Sequence, residues 1–158
     1  MPRTTIVGLA VMAGLCGLAA MAASPAPDIT SEIVALERQA MDGWLKGNPE
    51  PMLARMDSQV TYIHEITGKR LEGIAAVRQL CEPYRGRPLF DSYEMDAPKV
   101  RTTTTLDVAV LSYQLVTHNG STTARWNMTQ VYERTSDGRW RVIHTHSSQA
   151  SAVATIQP

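Results

Sequence analysis

The sequence predicts an α+β domain built on a strongly curved antiparallel sheet, and three observations carry that reading. Apolar residues in the first half recur at helical spacing, whereas the chain after Pro88 falls into long runs that alternate with a period of two. The pairs Asn119-Gly120 and Asp137-Gly138 break those runs and read as hairpin turns. Helices first and strands after define the α+β class. The runs also exceed the usual ~5–6 residues of a strand, so the sheet must twist and coil, and its concave face can be covered by the helices.

The first element is a secretory signal peptide. Arg3 is followed by the uncharged, mostly apolar run 6–20 and then by the small residues Ala20, Ala22 and Ala23. That run is shorter than the ~20 residues a spanning helix needs, and Ser24-Pro25-Ala26-Pro27 follows it instead of a basic stop-transfer flank. Cleavage after Ala22 is expected, giving an exported periplasmic or secreted product with no membrane attachment. Lipid attachment at Cys16 is disfavoured because Leu15 precedes it where a small residue is needed. Residues 23–28 form a flexible, Pro-rich linker.

In the domain proper, residues 29–148, Thr30 is the expected cap of a first helix. Ile33, Leu36, Ala40 and Trp44 share one face of it, and Glu37, Arg38 and Lys46 are assigned to the wet side. Gly47 ends the helix. Asn48-Pro49 then opens a short second helix presenting Met52, Leu53 and Met56. Residues 60–65, rich in β-branched and aromatic types, read as the first strand, and Thr67-Gly68-Lys69 as a turn. Gly73 precedes a third helix with Ile74, Val77, Leu80, Cys81 and Tyr84 on its apolar stripe, closed by Pro83. Strands are expected at 93–103, 108–117, 122–134 and 139–147, joined as an antiparallel meander, with a loose tail over 149–158.

Without its signal the 158-residue chain is long enough for one hydrophobic core and too short for two ordinary domains. Fifteen basic residues balance fifteen acidic ones, so no electrostatic footprint for nucleic acid is present. Only Cys81 survives cleavage, which excludes an internal disulfide; among apolar helix residues it reads as a small buried hydrophobe.

Two stretches carry a resemblance. One is Val60-Thr61-Tyr62-Ile63-His64 with Gly73-Ile74 nine residues later, and the other is the closing run from Asp137-Gly138-Arg139-Trp140 to His144-Thr145-His146-Ser147-Ser148. With these the chain resembles the SnoaL-like branch of the nuclear-transport-factor-2-like superfamily. The closing run, together with Leu71-Glu72-Gly73, is particularly similar to the association domain of calcium/calmodulin-dependent protein kinase II. The resemblance implies a cone-shaped sheet around three helices (a cystatin-like roll), a pocket at its open end, and a homodimer formed through the outer sheet face.

The resemblance also implies where chemistry would sit. In the ketosteroid isomerases a carboxylate base ends the first strand, and His64 holds that position here. Its ordinary pKa of ~6.5 suits a base working near neutrality. The isomerase tyrosine position on the first helix falls on Ala40, and the region of the isomerase acid offers Asn127 and Gln130, so steroid isomerisation is not expected. The pocket arginines of the kinase domain fall on Leu115 and Gln130. Arg125 alternates away from Trp126, Met128 and Gln130 and reads as an outer-face or dimer-contact residue. Trp44, Tyr62, Tyr113, Trp126, Met128, Gln130, His144 and His146 are the remaining pocket candidates, with Tyr62, Tyr113 or Trp126 able to donate one hydrogen bond. His144 and His146, two apart on one strand, share a face as metal-binding pairs do, with His64 or Glu133 as a third ligand. Buried histidines bonded to polar neighbours are the simpler account, so no metal and no cofactor is expected.

The reading adopted is an exported domain that binds a small apolar or amphipathic molecule, because no acidic partner for His64 is evident. Proton transfer with His64 as base, in an isomerase, cyclase or dehydratase manner, and a module serving oligomerisation alone both stay open.

Overall fold

The computed structural model describes residues 28–150; the signal peptide, all but the last residue of the linker, and the end of the tail lie outside the described residues. Helix α1, Ile29–Leu45, is followed by the short α2, Glu50–Leu53, then strand β1, Met56–His64, and the two-residue β2, Leu71–Glu72. Helix α3, Ile74–Cys81, leads through a 3-10 turn to the meander β3, Ser92–Thr102, β4, Val108–Asn119, β5, Thr122–Arg134, and β6, Trp140–Gln149. These strands form one curved sheet in the order β2-β1-β6-β5-β4-β3. Neighbouring strands in it run antiparallel except β1 and β6, which run parallel.

Several boundaries differ from those the sequence predicts, each for a local reason. The cap of α1 is Asp28, not Thr30: its carboxylate accepts from the backbone amides of Thr30 at 3.3 Å and Ser31 at 3.2 Å, covering donors that a helix start leaves open. Met56 belongs to β1 and not to the short helix, and β6 continues through Gln149, whose amide donates to Glu65 at 2.7 Å. At Gly47 (φ +65°) a Cβ would stand 2.4 Å from the Arg87 nitrogen, so glycine alone lets residues 86–89 cross the end of α1. That crossing is tied by the Gly86 amide to the Gly47 carbonyl at 2.8 Å and by Leu89 to Trp44 at 3.3 Å.

The core lies between α1, α3 and the concave face. Ile33, Val60, Val77 and Leu111 are wholly excluded from water, and each side chain of this kind stabilises the fold by about 1.5–3 kcal/mol. On β4 the inward residues are Ala109, Leu111, Tyr113 and Leu115; on β5 they are Met128, Gln130 and Tyr132. Irregularities in pairing shape the sheet, one of them in β1 between Met56 and Thr61 and two more in β3 and β6. In β3 the pairing slips between Asp96 and Lys99, where Ala97 takes φ 47° and Pro98 supplies no amide hydrogen. In β6, Val131 faces His144 but Tyr132 faces Val142, so Ile143 is an extra residue. Trp140 and Val142 point inward before that bulge, and Thr145 and Ser147 do so after it.

Candidate functional site

A cavity of about 310 Å³ opens between the concave face, α1, α3 and the segment that crosses the end of α1. The sheet supplies Tyr62 and His64 from β1, Trp126, Met128 and Gln130 from β5, and Thr145 and Ser147 from β6. Trp44 from α1 lines it too, and Leu89 and Phe90 reach it because Gly47 admits their segment. Among the described residues no Asp, Glu, Lys or Arg lines the cavity. Cys81 is in its wall with a thiol pushed up to about 11 by burial, which keeps it protonated and inert.

Beneath the floor lies a charged residue assigned from sequence to the wet side of α1. Glu37 is 1% exposed. Its carboxyl accepts from the Tyr113 hydroxyl at 2.6 Å, the Gln130 amide at 2.8 Å and the Tyr132 hydroxyl at 2.9 Å. Burial raises the Glu37 pKa and the three donors, with Arg55, oppose that rise. Gln130 is thereby oriented: its nitrogen faces Glu37 and its oxygen accepts from the Thr145 hydroxyl at 2.8 Å. Tyr113 belongs to this substructure and not to the cavity wall, so it has no free hydroxyl for a ligand.

His64 stands at the cavity mouth. Its ring lies nearly parallel to Tyr62, with centroids 6.2 Å apart and 7° between planes, and 5.4 Å from Trp126. Nδ1 accepts the Ile66 backbone amide at 3.1 Å. Burial lowers the His64 pKa, against a smaller opposing effect of Glu65. Ser147 is 2% exposed and its hydroxyl has no hydrogen-bond partner among the described residues.

His144 and His146 do not reach the cavity. The extra residue at Ile143 turns the alternation over, so Thr145 and Ser147 face inward and the two histidines face out. His144 meets the Thr61 hydroxyl at 2.7 Å, and burial, then His146 and Arg70, lower its pKa. Among the described residues no three His, Cys, Asp or Glu side chains converge to hold a metal ion. Arg125 is on the outer face, 3.8 Å from Asp96. Sequence reasoning thus missed Glu37, Thr145 and Ser147. Glu37 had a signal, since it lies four residues after Ile33 and seven before Trp44, on the apolar stripe itself.

Solved structures with the same fold are numerous. A ketosteroid-isomerase-like protein of Parabacteroides distasonis is 27% identical, with a TM-score of 0.70 over 78% of this chain and 89% of that one. A nuclear-transport-factor-2-like protein of unknown function from Pseudomonas putida is 21% identical, with a TM-score of 0.68 over 82% and 92%. The calcium/calmodulin-dependent protein kinase II hub of S. rosetta is 18% identical, with a TM-score of 0.64 over 82% of this chain and all of that one. No curated protein matches the chain by sequence. The calcium/calmodulin-dependent protein kinase II association domain matches residues 30–151, and the chain belongs to that family, within the nuclear-transport-factor-2-like fold.

Proposed function

We propose that the protein is an exported homodimer that binds a small, uncharged, largely apolar molecule in this cavity. The observation that carries the reading is the lining itself: mostly aromatic, methionine and leucine side chains, no Asp, Glu, Lys or Arg among the described residues, and a few buried polar side chains such as Gln130, Thr145 and Ser147. Concave apolar sites with few polar groups are what small-molecule pockets look like, and about 310 Å³ is at the small end of their range. At the packing density of protein interiors it holds on the order of 10 to 15 non-hydrogen atoms. The expected result is that protein purified from its native compartment carries such a molecule, released on denaturation and identified by mass spectrometry. Repeated recovery of the protein without one, together with no binding from a library of uncharged compounds of that size, would sink the reading.

A second reading, proton transfer at carbon, rests on His64 alone, which sits in the cavity with a lowered pKa and so is neutral near pH 7. It predicts that the captured molecule changes on incubation with fresh protein, whereas the binding reading predicts its recovery unchanged. For export, the expected mature N-terminus is Ala23, checked by N-terminal sequencing of secreted material. A start at Cys16 bearing lipid would instead show a membrane-tethered protein. Dimerisation through the outer sheet face is checked by sedimentation of the mature chain.

A further inference from the structure

We propose that His64 and Ser147 act together as a pair of hydrogen-bond donors to one oxygen, so that the cavity selects neutral apolar ligands bearing a carbonyl group. The inference rests on the binding reading above and specifies the ligand class.

The two side chains are placed by the sheet. β1 and β6 run parallel with His64 directly opposite Ser147, and both line the cavity. Residues opposite each other on adjacent strands present their side chains about 5 Å apart on one face, which is close enough for two donors to meet one oxygen. Ser147 faces inward only because of the extra residue at Ile143.

The tautomer of His64 follows from its partner. A backbone N–H can donate and cannot accept, so the bond from Ile66 to Nδ1 requires that nitrogen to be bare. The proton of the neutral ring is therefore on Nε2. The turn that delivers the Ile66 amide is itself tied down, since the Thr67 hydroxyl lies 2.7 Å from the carbonyls of both His64 and Lys69 and shares its one hydrogen between them. The ring is flanked by Tyr62 and Trp126. A ring held this way offers a donor at Nε2 and no free basic nitrogen, which opposes the proton-transfer reading.

The polar groups next to Ser147 are already committed. Thr145 donates to the Gln130 oxygen and Gln130 donates to Glu37, leaving the buried Ser147 hydroxyl without a partner among the described residues. A buried donor in that state favours a ligand that accepts. The acceptor is neutral because no Lys or Arg among the described residues lines the cavity. Arg70, at the polar hollow on the far side of His64 and Ser147, is bound to Glu72 at 2.5 Å.

The test uses 1-tetralone, its hydrocarbon tetralin and the anion 1-naphthoate as probes of matched size. In the free protein, two-bond proton–nitrogen correlation spectra should show His64 protonated at Nε2; protonation at Nδ1 overturns the proposal. The carbonyl stretch of bound 1-tetralone should move to lower frequency, and Ser147→Ala should remove part of that shift. Ser147→Ala should also weaken 1-tetralone about tenfold while leaving tetralin within about twofold, the effect of one hydrogen bond. His64→Phe, which keeps the ring and removes the donor, should do the same. If that variant fails to fold because Ile66 loses its acceptor, Ser147→Ala and the wild-type tautomer still decide. An unshifted carbonyl, equal losses for ketone and hydrocarbon, or tighter binding of 1-naphthoate overturns the donor pair while the binding reading stands. If none of the three probes binds, the donor pair falls, and the binding reading is decided separately by ligand capture and the wider library.

Discussion

Glu37→Ala is expected to destabilise the fold by about 3–5 kcal/mol, a large change for removing one carboxyl group. The side chain is fully packed beneath the cavity and is the acceptor for three buried donors: Tyr113, Tyr132 and Gln130. Truncation leaves each donor in apolar surroundings with nothing to bond, at about 1–3 kcal/mol apiece, and because they converge on one carboxyl the losses are not additive. Glu37→Gln is the control. Both tyrosine hydroxyls can rotate to accept, so this variant should lose no more than about 1–2 kcal/mol. The two also differ in pH dependence. Burial raises the folded pKa of Glu37 above the ordinary value of 4.5, so its carboxyl holds its proton longer in the folded chain than in the unfolded one. The stability tied to that proton is complete below the unfolded pKa and is lost as pH rises through the folded one. Urea unfolding of wild type and Glu37→Gln at pH 5 and pH 8 should therefore show the wild type losing more stability on the way up. Equal slopes would mean that Glu37 is ionised throughout, and an alanine variant as stable as the parent would mean that the three donors have other partners.

How much of this was legible in the sequence depended on whether the determining interaction was local. The predicted limits of β5 coincide with Thr122–Arg134 because both ends are set by turn chemistry: Gly120 takes φ 57° and Gly138 φ 81°, conformations that glycine reaches without strain. The start of α3 after Gly73 was legible for the same reason. The parallel pairing of β1 with β6 brings together segments about eighty residues apart, and no local spacing announces it. The bulge at Ile143 was invisible as well, since nothing in Val142-Ile143-His144 distinguishes an extra residue from a regular strand. One unseen residue exchanged the two faces for the rest of β6, which is why His144 and His146 stood where Thr145 and Ser147 belong. Glu37 was misplaced by residue type against position. Its spacing put it on the apolar stripe, its charge argued for water, and the tyrosines on β4 and β5 decided the matter.

Trp140→Ala is expected to destabilise the fold by about 3–5 kcal/mol, through lost packing and not through lost bonding. Trp140 opens β6, is 4% exposed, and belongs to the core cluster. The guanidinium of Arg134, its partner across the strands, lies 5.4 Å from the ring centroid and adds about 0.5–1 kcal/mol of cation–π attraction at such a site. The indole N–H, in contrast, is buried without an acceptor among the described residues, so it contributes no bond that a substitution can remove. Trp140→Phe keeps most of the apolar surface and deletes that desolvated donor, and it should lose no more than about 1 kcal/mol. The contrast with Glu37 is in the pattern: there the polar atoms set the loss, here the ring does. Trp140 does not line the cavity, so the phenylalanine variant should bind any cavity ligand as the wild type does. A Trp140→Phe variant as unstable as Trp140→Ala would show that the indole nitrogen has a partner after all, and an alanine variant that melts with the parent would place Trp140 outside the core.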